Sequence, residues 1–242
     1  MTRLYSTLAL LALFGGLGML PVQAYEEAPV EGGGSISGRV GFEGEDPAPH
    51  IYAITKDNEV CGTGNVELDF VKVNDGGLAD VVVYLKKVEA GKPFPPLAAE
   101  VAQNRCVFEP FLTIMHNENN LVAINNDPVL HNVHTYELFG RARKTVFNIS
   151  QPDITRMVKP IKLRRGPAMK VECDAHDFMH SYVFVARNPY YARVGDNGEF
   201  SIDNIPPGEY TLQSWHGTLG EQKTTVKVLS NDSTTVNFLY AP

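Results

Sequence analysis

From Ile36 onward the chain is cut into short apolar segments by glycine, proline and asparagine, and within those segments the apolar residues recur at every second position. Ile36, Gly38, Val40 and Phe42 alternate with polar neighbours, the period of a strand with one face buried. Val81-Val82-Val83-Tyr84-Leu85 is a β-branched run entered through Asn74-Asp75-Gly76-Gly77. Residues 121–124, 171–173, 182–185, 210–212 and 224–228 have the same character, and only residues 96–103 read as a short helix. The pattern predicts an all-β chain. It is too long for one small sandwich of about 100 residues, so two sandwich-like units are expected. The proline-rich Gly91-Lys92-Pro93-Phe94-Pro95-Pro96 and Asn188-Pro189 mark the unit boundaries, because proline cannot join a ladder.

Residues 1–24 stand apart from this pattern. Arg3 precedes an apolar stretch over residues 8–20, and Val22-Gln23-Ala24 supplies a small-x-small cleavage site, which together read as a secretory signal peptide. The stretch contains Gly15, Gly16 and Gly18 and falls short of the roughly 20 apolar residues of a membrane span. The expectation is an exported, periplasmic protein that does not span the membrane. With 20% charged residues and a net charge of −7, a nucleic-acid partner is not expected.

Export changes the meaning of the three cysteines, since thiols tend to pair in an oxidising compartment and an odd number leaves one over. Cys61 and Cys106 each adjoin turn-like sequence and suit a disulfide, worth ~4 kcal/mol on the chain-entropy view. Cys173 lies in Met169-Lys170-Val171-Glu172-Cys173-Asp174-Ala175-His176-Asp177-Phe178-Met179. In a strand, Met169, Val171 and Cys173 share one face while Lys170 and Glu172 share the other. The loop after it offers His176 and Met179. Thiolate, imidazole and thioether within seven residues form a donor set suited to copper, and one further imidazole completes a trigonal His₂Cys site with a weak axial Met. His131, in a turn after residues 121–124, is that imidazole. His134 and His180 are the alternative ligands.

The two segments N-x-D-P-x-x-H-N-V (Asn125 to Val133) and C-x-x-H-x-x-M (Cys173 to Met179) together resemble the cupredoxin family over roughly residues 101–188. The ligand loop is most similar to that of amicyanin, and His131-Asn132 also resembles plastocyanin. The resemblance implies a Greek-key β-sandwich holding one mononuclear type 1 copper through His131, Cys173, His176 and axial Met179, with the Asn132 side chain tying the two ligand loops together. It also implies that the edge of His176 reaches the surface in an apolar patch, formed here by Pro128, Val129, Leu130 and Phe178, and serves as the electron port. Flanking segments, Gly34 to Val40, Ala79 to Leu85 and Asp196 to Leu212, resemble a carboxypeptidase regulatory-like, prealbumin-like β-sandwich. The expected organisation is therefore residues 25–95 and 189–242 as two parts of that sandwich, with the copper unit 96–188 inserted; a tandem order is the alternative.

The function expected is outer-sphere transfer of single electrons, without enzymatic activity. A closed zinc tetrahedron would not use the thioether, a binuclear copper loop would need a second cysteine, and a trinuclear cluster would need His-x-His pairs that the sequence lacks. A copper carrier or store, and a non-redox binding module, are the competing readings. Between Arg141 and Lys170, Arg143, Lys144, Arg156, Lys159, Lys162, Arg164 and Arg165 face only Asp153 as an acid. Such a basic stretch would steer a redox partner with an acidic docking surface, such as a cytochrome.

Overall fold

The computed structural model describes residues 25–242, and the signal-peptide reading of residues 1–24 lies outside the described residues. The chain is all-β: among the described residues the only helix is the single turn Asn58–Cys61. None of the described helices is long and apolar enough to cross a membrane.

Strands from both ends of the chain build one pair of sheets. One runs in the order Tyr191–Arg193, Val81–Leu85, Gly208–His216, Gly220–Val228; the other joins Glu199–Ile205, Gly34–Phe42, Gly77–Leu78 and Val73–Asn74, with Ser233–Thr235 and Phe238–Tyr240 also pairing along Gly34–Phe42. Their buried faces meet in one core that includes Ile36, Val40, Leu85, Leu212, Val226 and Phe238. Gly38 lies where the chain passes so close that a β-carbon would collide with the Val236 carbonyl oxygen. We call this unit the outer sandwich.

The strands between them build a second pair. A four-stranded sheet is ordered Val107–Glu109, Ala99–Asn104, Asn120–Asn125, Thr155–Pro160, and a five-stranded sheet is ordered Leu112–His116, His180–Ala186, Ala168–Glu172, His131–Phe139, Ala142–Gln151. This inner sandwich has its own core, with Val101, Leu121, Val133, Val171 and Val183 fully buried. The two units meet through a third cluster in which Trp215 and Val82 of the outer sandwich pack on Leu112, Tyr182 and Phe184 of the inner one. The Trp215 ring lies 5.8 Å from Tyr182 and 5.9 Å from Phe184.

Two local expectations are corrected. Residues 96–103 are not a helix: Ala99–Asn104 is a strand pairing in parallel with Asn120–Asn125. Its alanines and Glu100 favour helix, but Ala99, Val101 and Gln103 bury alternately, and sheet pairing overrides that weak propensity. His131 is not in a turn either. It is the first residue of the nine-residue strand His131–Phe139.

One excursion crosses between the units. The hairpin of His50–Ala53 and Asn65–Leu68, with the turn Asn58–Cys61 at its tip, leaves the outer sandwich, and Tyr52, Ile54, Val60, Val66 and Leu68 pack against the inner core. We call this hairpin the cap. A disulfide between Cys61 and Cys106 fastens it to the inner sandwich, and Cys173 is free and buried.

Candidate metal centre

Sheet pairing brings the two ligand segments to one end of the inner sandwich. Ala168–Glu172 runs antiparallel to His131–Phe139 with His134 opposite Glu172, so Cys173, the next residue, arrives beside the start of the neighbouring strand. Met169, Val171 and Cys173 are buried on one face, while Lys170 and Glu172 are partly exposed on the other and pair at 2.7 Å. The loop after Cys173 folds back on itself: Met179 N–H donates to the His176 carbonyl at 3.0 Å, and Cys173 N–H donates to the Met179 carbonyl at 3.3 Å.

The structure brings His131, Cys173 and His176 together. The two Nδ1 atoms are 3.1 Å apart, and Cys173 Sγ lies 3.9 Å from that of His131 and 3.8 Å from that of His176. A point equidistant from the three atoms lies about 2.1 Å from each, within the roughly 2.0–2.3 Å of metal–imidazole and metal–thiolate bonds. All three side chains are buried, as is Met179, which packs with Cys173 and Phe178 in the inner core.

The outward nitrogens of both imidazoles are held by carboxylates. His131 Nε2 is 2.9 Å from Asp127 Oδ2, and His176 Nε2 is 2.9 Å from Asp57 Oδ2. An ionised carboxylate only accepts, so each Nε2 carries the proton and each Nδ1 presents its lone pair to the shared point. Two lone pairs 3.1 Å apart in a dry site repel, and a cation between them removes the conflict. Burial pushes the His176 pKa below its ordinary value, against the opposing pull of Asp57. The neutral form thus favoured is the one that ligates.

Asp127 is itself anchored. Its oxygens accept from Arg105 N–H at 2.7 Å and Cys106 N–H at 2.8 Å, and its own N–H donates to Asn125 Oδ1 at 2.9 Å. Arg105 and Cys106 both adopt positive φ, 47° and 60°, as the two central residues of the tight hairpin turn between Asn104 and Val107, whose free N–H groups Asp127 accepts.

Asn132 bridges the two segments. Its backbone N–H points at Cys173 Sγ at 3.5 Å, its Oδ1 accepts from Asp174 N–H at 2.7 Å, and its Nδ2 donates to Asp174 Oδ2 and Asn148 Oδ1. The alternative ligands lie elsewhere. His134 points away from the three donors onto Asp174 and Tyr136, and His180 sits between Tyr52 and Phe70 with neither ring nitrogen hydrogen-bonded.

The donor set fits copper: two imidazoles and a thiolate around one point with a buried thioether in the same loop, and no second cysteine free to close a zinc tetrahedron among the described residues. The expected electron port is corrected. The His176 side chain is 0% exposed, closed over by Asp57 and the cap, and Phe178 is buried in the core and not in a surface patch. Asp57 and Asp127 were not singled out in the sequence. Asp127 had a signal, standing four residues before His131 in the N-x-D-P-x-x-H segment; Asp57, 119 positions from its partner, had none.

The family described as "Polysaccharide lyase family 4, domain II" matches residues 176–236, which run from the ligand loop through most of the C-terminal part of the outer sandwich. No curated protein matches the chain. Among solved structures, the chain is similar to a purple cupredoxin from Nitrosopumilus maritimus, at 15% identity over 36% of this chain and 99% of that one, with a TM-score of 0.31. It is also similar to amicyanin from Paracoccus versutus, at 14% identity over 43% of this chain and 97% of that one, with a TM-score of 0.31. A copper-containing nitrite reductase from Thermus scotoductus matches at 15% identity and a TM-score of 0.31, over 43% of this chain and 25% of the reductase.

Proposed function

We propose that this chain is an exported, periplasmic copper protein that passes single electrons between redox partners, without substrate chemistry of its own. The observation that carries the reading is the buried triangle of His131 Nδ1, His176 Nδ1 and Cys173 Sγ, sized for one ion. In this reading Met179, buried in the same loop, would supply the thioether donor, and the copper unit is an insertion in an outer prealbumin-like sandwich that serves as its scaffold.

Bound copper supplies a one-electron couple between Cu(I) and Cu(II). The chain's own residues keep that exchange fast. Asp127 and Asp57 fix the orientation and tautomer of the two imidazoles, and Asn132 holds the thiolate segment against the His131 strand. The ligands sit on paired strands and a closed seven-residue loop, so they need not move when the charge changes. The N–H of Asn132 aimed at Cys173 Sγ withdraws charge from the sulfur and sets the potential.

The test is the optical and paramagnetic-resonance spectrum of the copper-loaded protein. An intense thiolate-to-Cu(II) band and a reversible one-electron wave are expected. A copper complex that transfers metal to an acceptor with no reversible wave would instead identify a carrier.

A further inference from the structure

A cleft of about 160 Å³ lies where the outer and inner sandwiches meet. We propose that it binds a single-ring aromatic carboxylate, with the ring held between the two sandwiches and the carboxylate on Arg187 and Arg165. Nothing in this site requires copper. His131 begins the strand His131–Phe139 and Phe139, at its other end, lines the cleft. At the rise of an extended strand those two residues stand about 25 Å apart.

Sheet register builds the walls. On the outer sandwich Tyr84 lies opposite Tyr191 on one neighbouring strand and Gln213 on the other, on the face that carries Val82 and Trp215 toward the inner sandwich. On the inner sandwich Phe184 meets the Tyr84 ring edge to face, with centroids 5.0 Å apart. Phe139 supplies a further wall, and the Arg165 guanidinium lies 5.2 Å from its ring centre. Gly140 and Gly166 also line the cleft and bring no side chain to fill it. At Gly166 a β-carbon would collide with the Leu138 carbonyl oxygen, so the space is built into the backbone. A cavity of about 150 Å³ is enough for benzene. The cleft is therefore sized for one six-membered ring, and aromatic walls favour edge and face contacts with another aromatic ring.

Polar groups then choose the charge. Arg165, Arg187 and Lys86 line the cleft, and among the described residues none of them pairs with a carboxylate. Glu221 is the one acid among the lining residues, and it already accepts from Gln213 Nε2 at 3.0 Å. Arg187 donates to the Gly166 carbonyl at 3.2 Å, which leaves most of its five N–H donors for a ligand. The surplus of positive charge selects an anion, and the planar guanidinium fork matches a carboxylate. Burial and the Glu221 carboxylate push the Tyr84 hydroxyl well above its ordinary pKa, against the pull of Arg187, so it stays protonated and able to donate. Aromatic walls with a few convergent polar groups at a junction between units are the usual makings of a small-molecule site.

The test titrates benzoate into the isotope-labelled intact protein and follows the amide resonances. Saturable shifts are expected at Leu85, Gly140, Gly166 and Arg187. Acetate, which lacks the ring, benzyl alcohol, which lacks the charge, and galacturonate, a ring carboxylate without aromaticity, should each bind at least about tenfold more weakly. Arg187→Gln should weaken benzoate about tenfold, while Glu221→Gln, which removes a like charge and keeps the contact with Gln213, should tighten it. No saturable shift at millimolar benzoate would overturn the proposal, as would shifts centred on residues 173–179. Acetate or galacturonate binding as well as benzoate, or weaker benzoate binding in Glu221→Gln, would overturn it too. These shifts are read with or without copper, so failure of the cleft and failure of the copper reading show separately.

Discussion

His176 Nε2 and Asp57 Oδ2 lie 2.9 Å apart, joining a ligand of the inner sandwich to a residue 119 positions earlier. Asp57 stands at the N-terminal cap position of the turn Asn58–Cys61, where an aspartate ordinarily satisfies a backbone N–H. Here its side chain makes no such bond, and its backbone is left-handed, with φ 50° and ψ 36°. A non-glycine residue in that conformation costs ~1–3 kcal/mol. The carboxylate serves the imidazole instead of the helix.

Asp57→Asn should therefore weaken Cu(II) affinity by about 10–100-fold while the metal-free protein keeps its melting temperature. Competition with a copper chelator measures the first and thermal unfolding the second. Unchanged affinity would show that Asp57 merely covers the site.

Asp127 is more deeply embedded, so its removal should be felt without metal as well. Asp127→Ala strands the N–H groups of Arg105 and Cys106 and frees His131 Nε2. Destabilisation of the metal-free protein by ~1–3 kcal/mol is expected in urea unfolding, together with loss of copper affinity. A variant as stable as the parent would contradict this.

Much of this architecture was legible in the sequence, and the exceptions share a cause. Val81–Leu85 reads correctly because both of its faces are buried, Val81, Val83 and Leu85 in the outer core and Val82 against the inner sandwich, and its first three residues are β-branched. His131–Phe139 does not, because His131, Thr135 and Glu137 face inward where a strand pattern expects apolar residues. Those inward polar groups are satisfied by partners distant in sequence: Glu137 accepts from the N–H groups of Arg164, Arg165 and Gly166, and Thr135 bonds Phe147. The edge strand Ala142–Gln151 is mostly exposed and carries little periodicity. At the site, the donors were legible because they cluster in two short segments. The cap was not, since nothing in residues 50–68 signals that they leave one sandwich to lie on another.

The cap's fastening can be tested directly. Closing a loop of 45 residues, the Cys61–Cys106 bond should contribute ~2–4 kcal/mol. Cys61→Ser with Cys106→Ser should lower the urea midpoint accordingly, and hydrogen exchange should quicken across residues 50–68 before the inner strands. Uniform quickening would show that the cap and the inner sandwich open as one.

Acid should weaken the outer sandwich through His216. It is buried, with Nδ1 accepting from the N–H groups of Thr218 and Leu219, and burial lowers its pKa to about 4. The unfolded chain binds its proton near pH 6.5 and the folded chain near 4, so the stabilisation is complete above 6.5 and is lost as pH falls toward 4. The difference amounts to roughly 3 kcal/mol. His216→Gln should flatten the stability profile between those pH values, measured by urea unfolding; an unchanged slope would contradict the assignment.

The measurement that tests the central claim most directly is the visible absorption of the protein mixed with one equivalent of Cu(II), compared with Cys173→Ser. An intense band in the parent that disappears in the variant is the predicted result. A parent complex as pale as Cu(II) bound by nitrogen and oxygen alone would contradict the thiolate-centred site.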